Sequence, residues 1–277
     1  MGNVFNVNAK DPDYWNVTDD PGIRHTNWMS AIPDSKFLYE ISVPGTHDTM
    51  ARAGVLWAWC QSLSLNTHLE IGIRFFDIRC RHFKNGLPIH HGIVYENCNF
   101  TDCMNTMASF VRSNPSECVL VRVTDEYEEA ECTRTFCQTV WEDLQNYRDI
   151  LWLEEKISPI KDVRGKIVIL RDFKKEDKPI GIDYTSLDIE DDWSVSNLDH
   201  KWGKVKAHLD KARTQVDTKM LLTFNSCTKG GDAPREIDRT LNPKLHSYVR
   251  NYGGRLGIIA IDYPGPKLIE NIIDNNF

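Results

Sequence analysis

The 277-residue chain sets 33 Lys and Arg against 40 Asp and Glu, a formal net charge of −7. That balance excludes bulk electrostatic binding to nucleic acid and a polybasic attraction to anionic lipid. Its 41% hydrophobic and 26% charged content suits a globular chain able to bury one large core. No apolar run reaches the ~20 residues of a membrane span.

In chain order, Met1-Gly2-Asn3-Val4-Phe5-Asn6 has no hydrophobic signal core, and Asn6 stands where a myristoylation signal prefers Ser or Thr. Residues 1–30 are polar and rich in turn signals, and are expected as an extension anchored on the main body by Trp15 and Trp28. An apolar run, Phe37 to Ile41, reads as a strand that Pro44-Gly45 breaks, leaving His47 and Asp48 at its mouth. Val55-Leu56-Trp57-Ala58-Trp59 follows. Trp57 and Trp59 are a candidate membrane-docking element, with a buried helix start as the competing reading.

After a helical stretch from Leu63 to Leu69 comes a strand over Phe75–Arg81. Period-two alternation puts Asp77, Arg79 and Arg81 on one face, which must line a polar cavity. A short strand holds His90 and His91, of which only one can enter that cavity; His90 takes the outer face. Strands at Cys118–Val123, Gly165–Leu170, Met220–Phe224 and Leu256–Asp262 alternate with helices at Thr101–Arg112, Glu128–Tyr147, around Trp202–Ala212 and at Pro243–Tyr252. The carboxylates of Asp188–Asp192 read as a solvated loop. Alternation of this kind predicts an α/β fold, a single distorted (β/α) TIM-type barrel, over residues 31–277.

Eight cysteines include two pairs spaced by five, Cys98/Cys103 and Cys132/Cys137, the spacing of small disulfide loops. With two sequons (Asn16-Val17-Thr18 and Asn99-Phe100-Thr101) they suit secretion, whereas the missing signal core favours the cytoplasm; the compartment stays open. No zinc-type Cys/His spacing occurs, so no metal and no cofactor are expected.

His47, Asp48, Asp77, Arg79, His91 and Asp262 all fall at or near strand ends, where barrel enzymes carry their chemistry. Two histidines can supply a base and an acid near neutrality, carboxylates can fix their tautomers, and Arg can clamp a phosphoryl group. The set implies acid–base cleavage of a phosphodiester. A metal-dependent phosphodiesterase on a similar barrel and a catalytically silent inositol-phosphate or protein binder are the competing readings, and Arg79 opposes the first.

Val43-Pro44-Gly45-Thr46-His47-Asp48, Phe76-Asp77-Ile78-Arg79, His90-His91-Gly92, Gly165-Lys166-Ile167-Val168 and Ile261-Asp262-Tyr263 together resemble the phosphatidylinositol-specific phospholipase C X-domain family in its bacterial, metal-independent form. The resemblance runs from about residue 30 to the C-terminus. It implies attack of the inositol 2-hydroxyl on the lipid phosphate, giving diacylglycerol and inositol 1,2-cyclic phosphate. It assigns His47 as general base supported by Asp262, His91 as general acid partnered by Asp48, Arg79 as the phosphate-binding cation and Asp77 as part of its network. Arg171, Asp199 and Trp202 are the expected inositol contacts, while a lysine of the bacterial enzymes is lost at Thr124-Asp125. The expected partner is phosphatidylinositol or a glycosylated inositol lipid at a membrane surface, met by a peripheral, monomeric protein.

Overall fold

A computed structural model describes residues 14–16, 20–54, 58–214 and 218–277. The chain runs through β1 (Val43–Thr46), α1 (Leu65–Glu70), β2 (Phe75–Cys80), β3 (Pro88–His91), β4 (Val94–Asn99), α2 (Phe100–Ser113), β5 (Cys118–Asp125) and α3 (Phe136–Leu144). It continues through β6 (Leu151–Trp152), α4 (Ile160–Val163), β7 (Lys166–Asp172), β8 (Ile182–Asp183), β9 (Asp188–Glu190) and α5 (Leu198–Thr214). The last elements are β10 (Leu221–Phe224), α6 (Pro234–Asn251), β11 (Ile258–Ile261) and α7 (Pro266–Asp274).

Strands follow the order β6-β7-β5-β2-β1-β11-β10-β9, all parallel, with β8 added parallel to β7. The sheet curls into an α/β barrel that stays open, since no ladder joins β9 to β6 or β8 among the described residues. The central strands are fully buried on both faces, as parallel strands under helices must be. α2 packs on β5 and β7, α5 on β9 and β10, and α7 on β1. The hairpin β3–β4 is antiparallel to the end of β2 and projects from the barrel.

Several local expectations change. The run at 37–41 is not a strand: Leu38–Glu40 makes one 3-10 turn, and the strand is Val43–Thr46, with Pro44-Gly45 inside it. Gly45 is needed there, because a Cβ would meet Phe75 Cδ1 at 2.6 Å where β1 and β2 close together. The helix expected at Glu128–Tyr147 shrinks to α3, capped by Thr135, which accepts from the N–H of Gln138. The helix expected from Pro243 starts at Pro234 and carries Pro243 in its interior. All eight cysteines are free thiols.

Candidate active site

β1, β2, β3 and β11 deliver the charged groups to one end of the barrel. His47 and Asp48 follow β1 directly, Asp262 follows β11, and Thr46 pairs with Ile261, so the histidine and the second carboxylate arrive side by side. Asp48 (φ 37°) and Tyr263 (φ 45°) both adopt left-handed backbone, a conformation that costs about 1 kcal/mol outside glycine and concentrates at functional sites.

His47 Nδ1 donates to Asp262 Oδ1 at 2.8 Å, and its Nε2 accepts from Arg79 Nη2 at 2.8 Å. A carboxylate on one nitrogen and a guanidinium on the other fix a neutral ring with its lone pair at Nε2. Burial disfavours charge on this ring. The Asp262 carboxylate outweighs burial and holds the pKa above the ordinary histidine value, with Arg79 pulling the other way.

Asp77 is the hub beneath the pair. Its Oδ2 accepts from Arg79 Nε (3.1 Å) and Nη2 (3.0 Å) and from the Asp48 N–H (3.0 Å), and its Oδ1 accepts from Arg122 Nη1 (3.0 Å). Burial pushes the Asp77 carboxyl up, but Arg79 and Arg122 together hold it well below the usual carboxylate range. Arg79 Nη1 lies 3.8 Å from Asp48 and 3.9 Å from Glu126. Burial raises the pKa of Asp48 against these cations.

His91 enters the same cavity and His90 does not, as alternation along β3 requires. Its Nδ1 donates to the carbonyl of Ala58 at 2.8 Å, and Nε2 faces Asp48 Oδ2 at 3.6 Å. Glu126 accepts from the N–H of Gly92, which fixes the turn after His91. The cavity has a volume of about 930 Å³ and its wall includes His47, Cys60, Arg79, His91, Arg122, Glu126, Asp191, Trp193 and Asp262. At its rim Ile93 and Trp193 are 73% and 66% exposed.

The structure thus gathers His47, Asp48, Asp77, Arg79, His91 and Asp262, and separates the three expected inositol contacts from them. Arg171 points away from the cavity to Asp183 Oδ2 and the Phe173 carbonyl, because its neighbour Asp172 takes the inward side of β7 and meets Arg122 at 2.6 Å. Asp199 sits in the first turn of α5, exposed and paired with Lys244 of α6. Trp202 faces Tyr248 on α6 within the helix layer. Trp57 lies outside the described residues, and Trp59 is half-buried with its carbonyl accepting from Tyr263.

Arg122, Asp191 and Trp193 stand in the cavity wall without having been singled out in the sequence. Arg122 obeyed a readable signal, since Arg122, Thr124 and Glu126 alternate as Asp77 and Arg79 do. Asp191 and Trp193 follow a three-residue strand with no apolar run, Asp191 inside the Asp188–Asp192 stretch read as a solvated loop and Trp193 just beyond it.

A parallel α/β barrel whose strand ends hold two histidine–carboxylate pairs around an arginine defines a class of acid–base enzymes acting on anionic esters. Residues 35–173 match the model of the phosphatidylinositol-specific phospholipase C X domain. The chain is 31% identical over 288 residues to the 1-phosphatidylinositol phosphodiesterase of Listeria monocytogenes, covering 95% of this chain and 88% of that protein. The solved phosphatidylinositol-specific phospholipase C of Listeria monocytogenes superposes with a TM-score of 0.80 at 30% identity, over 92% of this chain and 100% of that one. A structure from work on the membrane binding of the Staphylococcus aureus phosphatidylinositol-specific phospholipase C gives 0.83 at 25% identity, over 91% and 97%. This chain belongs to the phosphatidylinositol-specific phospholipase C X-domain family.

Proposed function

We propose that this protein is a phosphatidylinositol-specific phospholipase C, a phosphorus–oxygen lyase that needs no metal. The observation that carries the reading is the His47 ring, backed by Asp262 at Nδ1 and accepting from Arg79 at Nε2. A lipid phosphate in the cavity meets the Arg79 guanidinium. His47 Nε2 takes the proton of the inositol 2-hydroxyl as it attacks phosphorus, and the Asp262 carboxylate stabilises the imidazolium that forms. Asp77 holds Arg79 in place while negative charge grows on the phosphoryl oxygens. His91, whose Nε2 faces Asp48, gives a proton to the departing diacylglycerol oxygen. The products are diacylglycerol and inositol 1,2-cyclic phosphate.

Arg122, Asp191 and Trp193 are the headgroup contacts in this reading, in place of Arg171, Asp199 and Trp202. Arg122 is paired with Asp77 and Asp172 and presents its remaining N–H groups to ring hydroxyls. Ile93 and Trp193 at the rim dock into the lipid surface. No helix among the described residues is long and apolar enough to cross a membrane, and in this reading the protein binds the lipid surface peripherally as a monomer.

The test is turnover of phosphatidylinositol vesicles in excess EDTA, followed by ³¹P NMR. A cyclic-phosphate resonance under chelation is expected. A requirement for Ca²⁺ overturns the place given to Arg79. His47→Ala is expected to lose ~10²–10⁴-fold in rate, and full activity in that variant sinks the mechanism.

A further inference from the structure

The hydrogen bond that fixes His91 also decides its tautomer. Nδ1 lies 2.8 Å from the carbonyl oxygen of Ala58. A carbonyl only accepts, so Nδ1 carries the hydrogen and the neutral ring keeps its lone pair at Nε2. That lone pair faces the Asp48 carboxylate at 3.6 Å. Asp48 is 1% exposed, and neither of its oxygens accepts a hydrogen bond among the described residues. A third donor completes the group: ligand atoms of Asp48, Cys60 and His91 all lie within 4.8 Å of one another. Cys60 and His91 both line the cavity.

We propose that Asp48, Cys60 and His91 form an inhibitory site for a thiophilic divalent cation, with Zn²⁺ the cation that fits. One imidazole, one thiolate and one carboxylate with a fourth position open to a cavity is the donor set of an open zinc site. An N–H from the far side of the ring to a backbone carbonyl is the outer support that zinc-binding histidines take. The donor set disfavours Ca²⁺, which wants six or more oxygens. Arg79, 3.8 Å from Asp48, opposes any cation. The surrounding charge favours one, since Asp48, Asp77, Glu126 and Asp262 outnumber Arg79 and Arg122. The sequence hides this site because its ligands come from three separate segments, with none of the short spacings of zinc motifs.

Binding exchanges the Cys60 thiol proton, and any proton carried on His91 Nε2, for the metal and releases them to solvent, with no change of oxidation state. The cation then occupies the Nε2 lone pair, where the proton for the leaving group has to sit. It is a competitor of that proton and not a cofactor. The effect on turnover rests on the acid role proposed for His91; the binding does not.

The experiment is calorimetric titration of the full chain with ZnCl₂ in metal-free buffer, alongside a vesicle assay with and without zinc. One Zn²⁺ per chain is expected. Cys60→Ala and Cys60→Ser are expected to weaken binding by about 100-fold or more, the upper range for loss of even an outer-shell partner. Cys227→Ser, which removes the other thiol of the cavity wall, should bind as the wild type does. Zinc should inhibit the wild type reversibly by EDTA and leave both Cys60 variants turning over. No binding, or equal affinity and inhibition in the Cys60 variants, overturns the site, and Cys60-dependent binding without inhibition overturns its inhibitory role. Cys60-dependent binding in a protein that cleaves no inositol lipid supports the site and overturns the function proposed above.

Discussion

Asp77 shows how much one buried carboxylate can organise. It accepts four hydrogen bonds, three of them from guanidinium groups of Arg79 and Arg122. Asp77→Asn takes that counter-charge from two half-buried cations, each of which keeps another carboxylate nearby, so the cost should be at or below the lower end of the about 3–5 kcal/mol for a fully buried pair. It also frees Arg79 to leave the position the proposed mechanism needs, so kcat/KM should fall about 10²-fold, the loss typical of one preorganised donor. Thermal melts and vesicle kinetics on the same variant check both, and a variant with normal kinetics removes Arg79 orientation from the mechanism. A second residue-scale prediction concerns His68, which is fully buried, has no partner on either ring nitrogen among the described residues, and is pushed by burial, with Arg52 adding, down to about 3. The unfolded chain takes up that proton below about pH 6.5 while the folded chain refuses it, so stability is full above that pH and falls on acidification. Between pH 6.5 and 5 the loss is about 2 kcal/mol from this residue alone. Unfolding free energies from urea titration of wild type and His68→Leu should therefore diverge by that amount at pH 5 relative to pH 7.5; parallel losses would sink the assignment. At this scale the sequence was legible where charge interrupts an apolar strand, as at Asp77 and Arg79. It was illegible where one register step decides the outcome: Arg171 and Asp172 are adjacent, and only pairing along β7 shows that Asp172 takes the inward side.

The elements that carry function are the irregular ones. The regular strands were readable because parallel strands buried on both faces form continuous apolar runs, as Cys118–Val123 and Ile258–Ile261 do. β3 was read through His90-His91, but its hairpin partner β4 and the stretch after β9 were not, because short strands followed by polar turns carry no periodic signal. Their tips form the rim of the cavity through Ile93 and Trp193. If that rim docks into lipid, removing either side chain forfeits about 1.4 kcal/mol or more of apolar burial, about tenfold in affinity. Ile93→Ser and Trp193→Ala should each weaken vesicle binding by that factor in a flotation assay. Ile93→Ser should affect cleavage of a soluble inositol phosphodiester much less than cleavage at vesicles. Equal loss on both substrates would place Ile93 in headgroup binding instead of docking.

Across the whole molecule, the two ends of the barrel divide the labour of chemistry and stability. The C-terminal strand ends hold the cavity, while the opposite end is closed by Arg74, immediately before β2, and Glu117, immediately before β5. Both are fully buried. Arg74 donates to Glu117 Oε2 through Nε (3.0 Å) and Nη2 (2.8 Å), and to the carbonyls of Leu69, Ile73, His25 and Thr26. One guanidinium thereby ties the segment before the barrel, the end of α1 and two neighbouring strands together. The ion pair by itself is a poor stabiliser, since burying both charges offsets most of their attraction. Its hold comes also from the four carbonyls it donates to, and removing only one member of the pair leaves a buried charge uncompensated. Glu117→Gln keeps the shape and leaves the guanidinium without a counter-ion, and should cost about 3–5 kcal/mol. Arg74→Met with Glu117→Leu replaces the pair by apolar groups, but it withdraws the guanidinium from the carbonyls of Ile73, His25 and Thr26, at about 1–3 kcal/mol for each one left unsatisfied, and should be no more stable than the single variant. Both should keep wild-type kcat at a temperature well below their melting points, because no atom of the pair reaches the cavity wall. A fall in kcat at full foldedness would mean that the floor of this barrel communicates with its active end, and the division of labour between the two ends would be wrong.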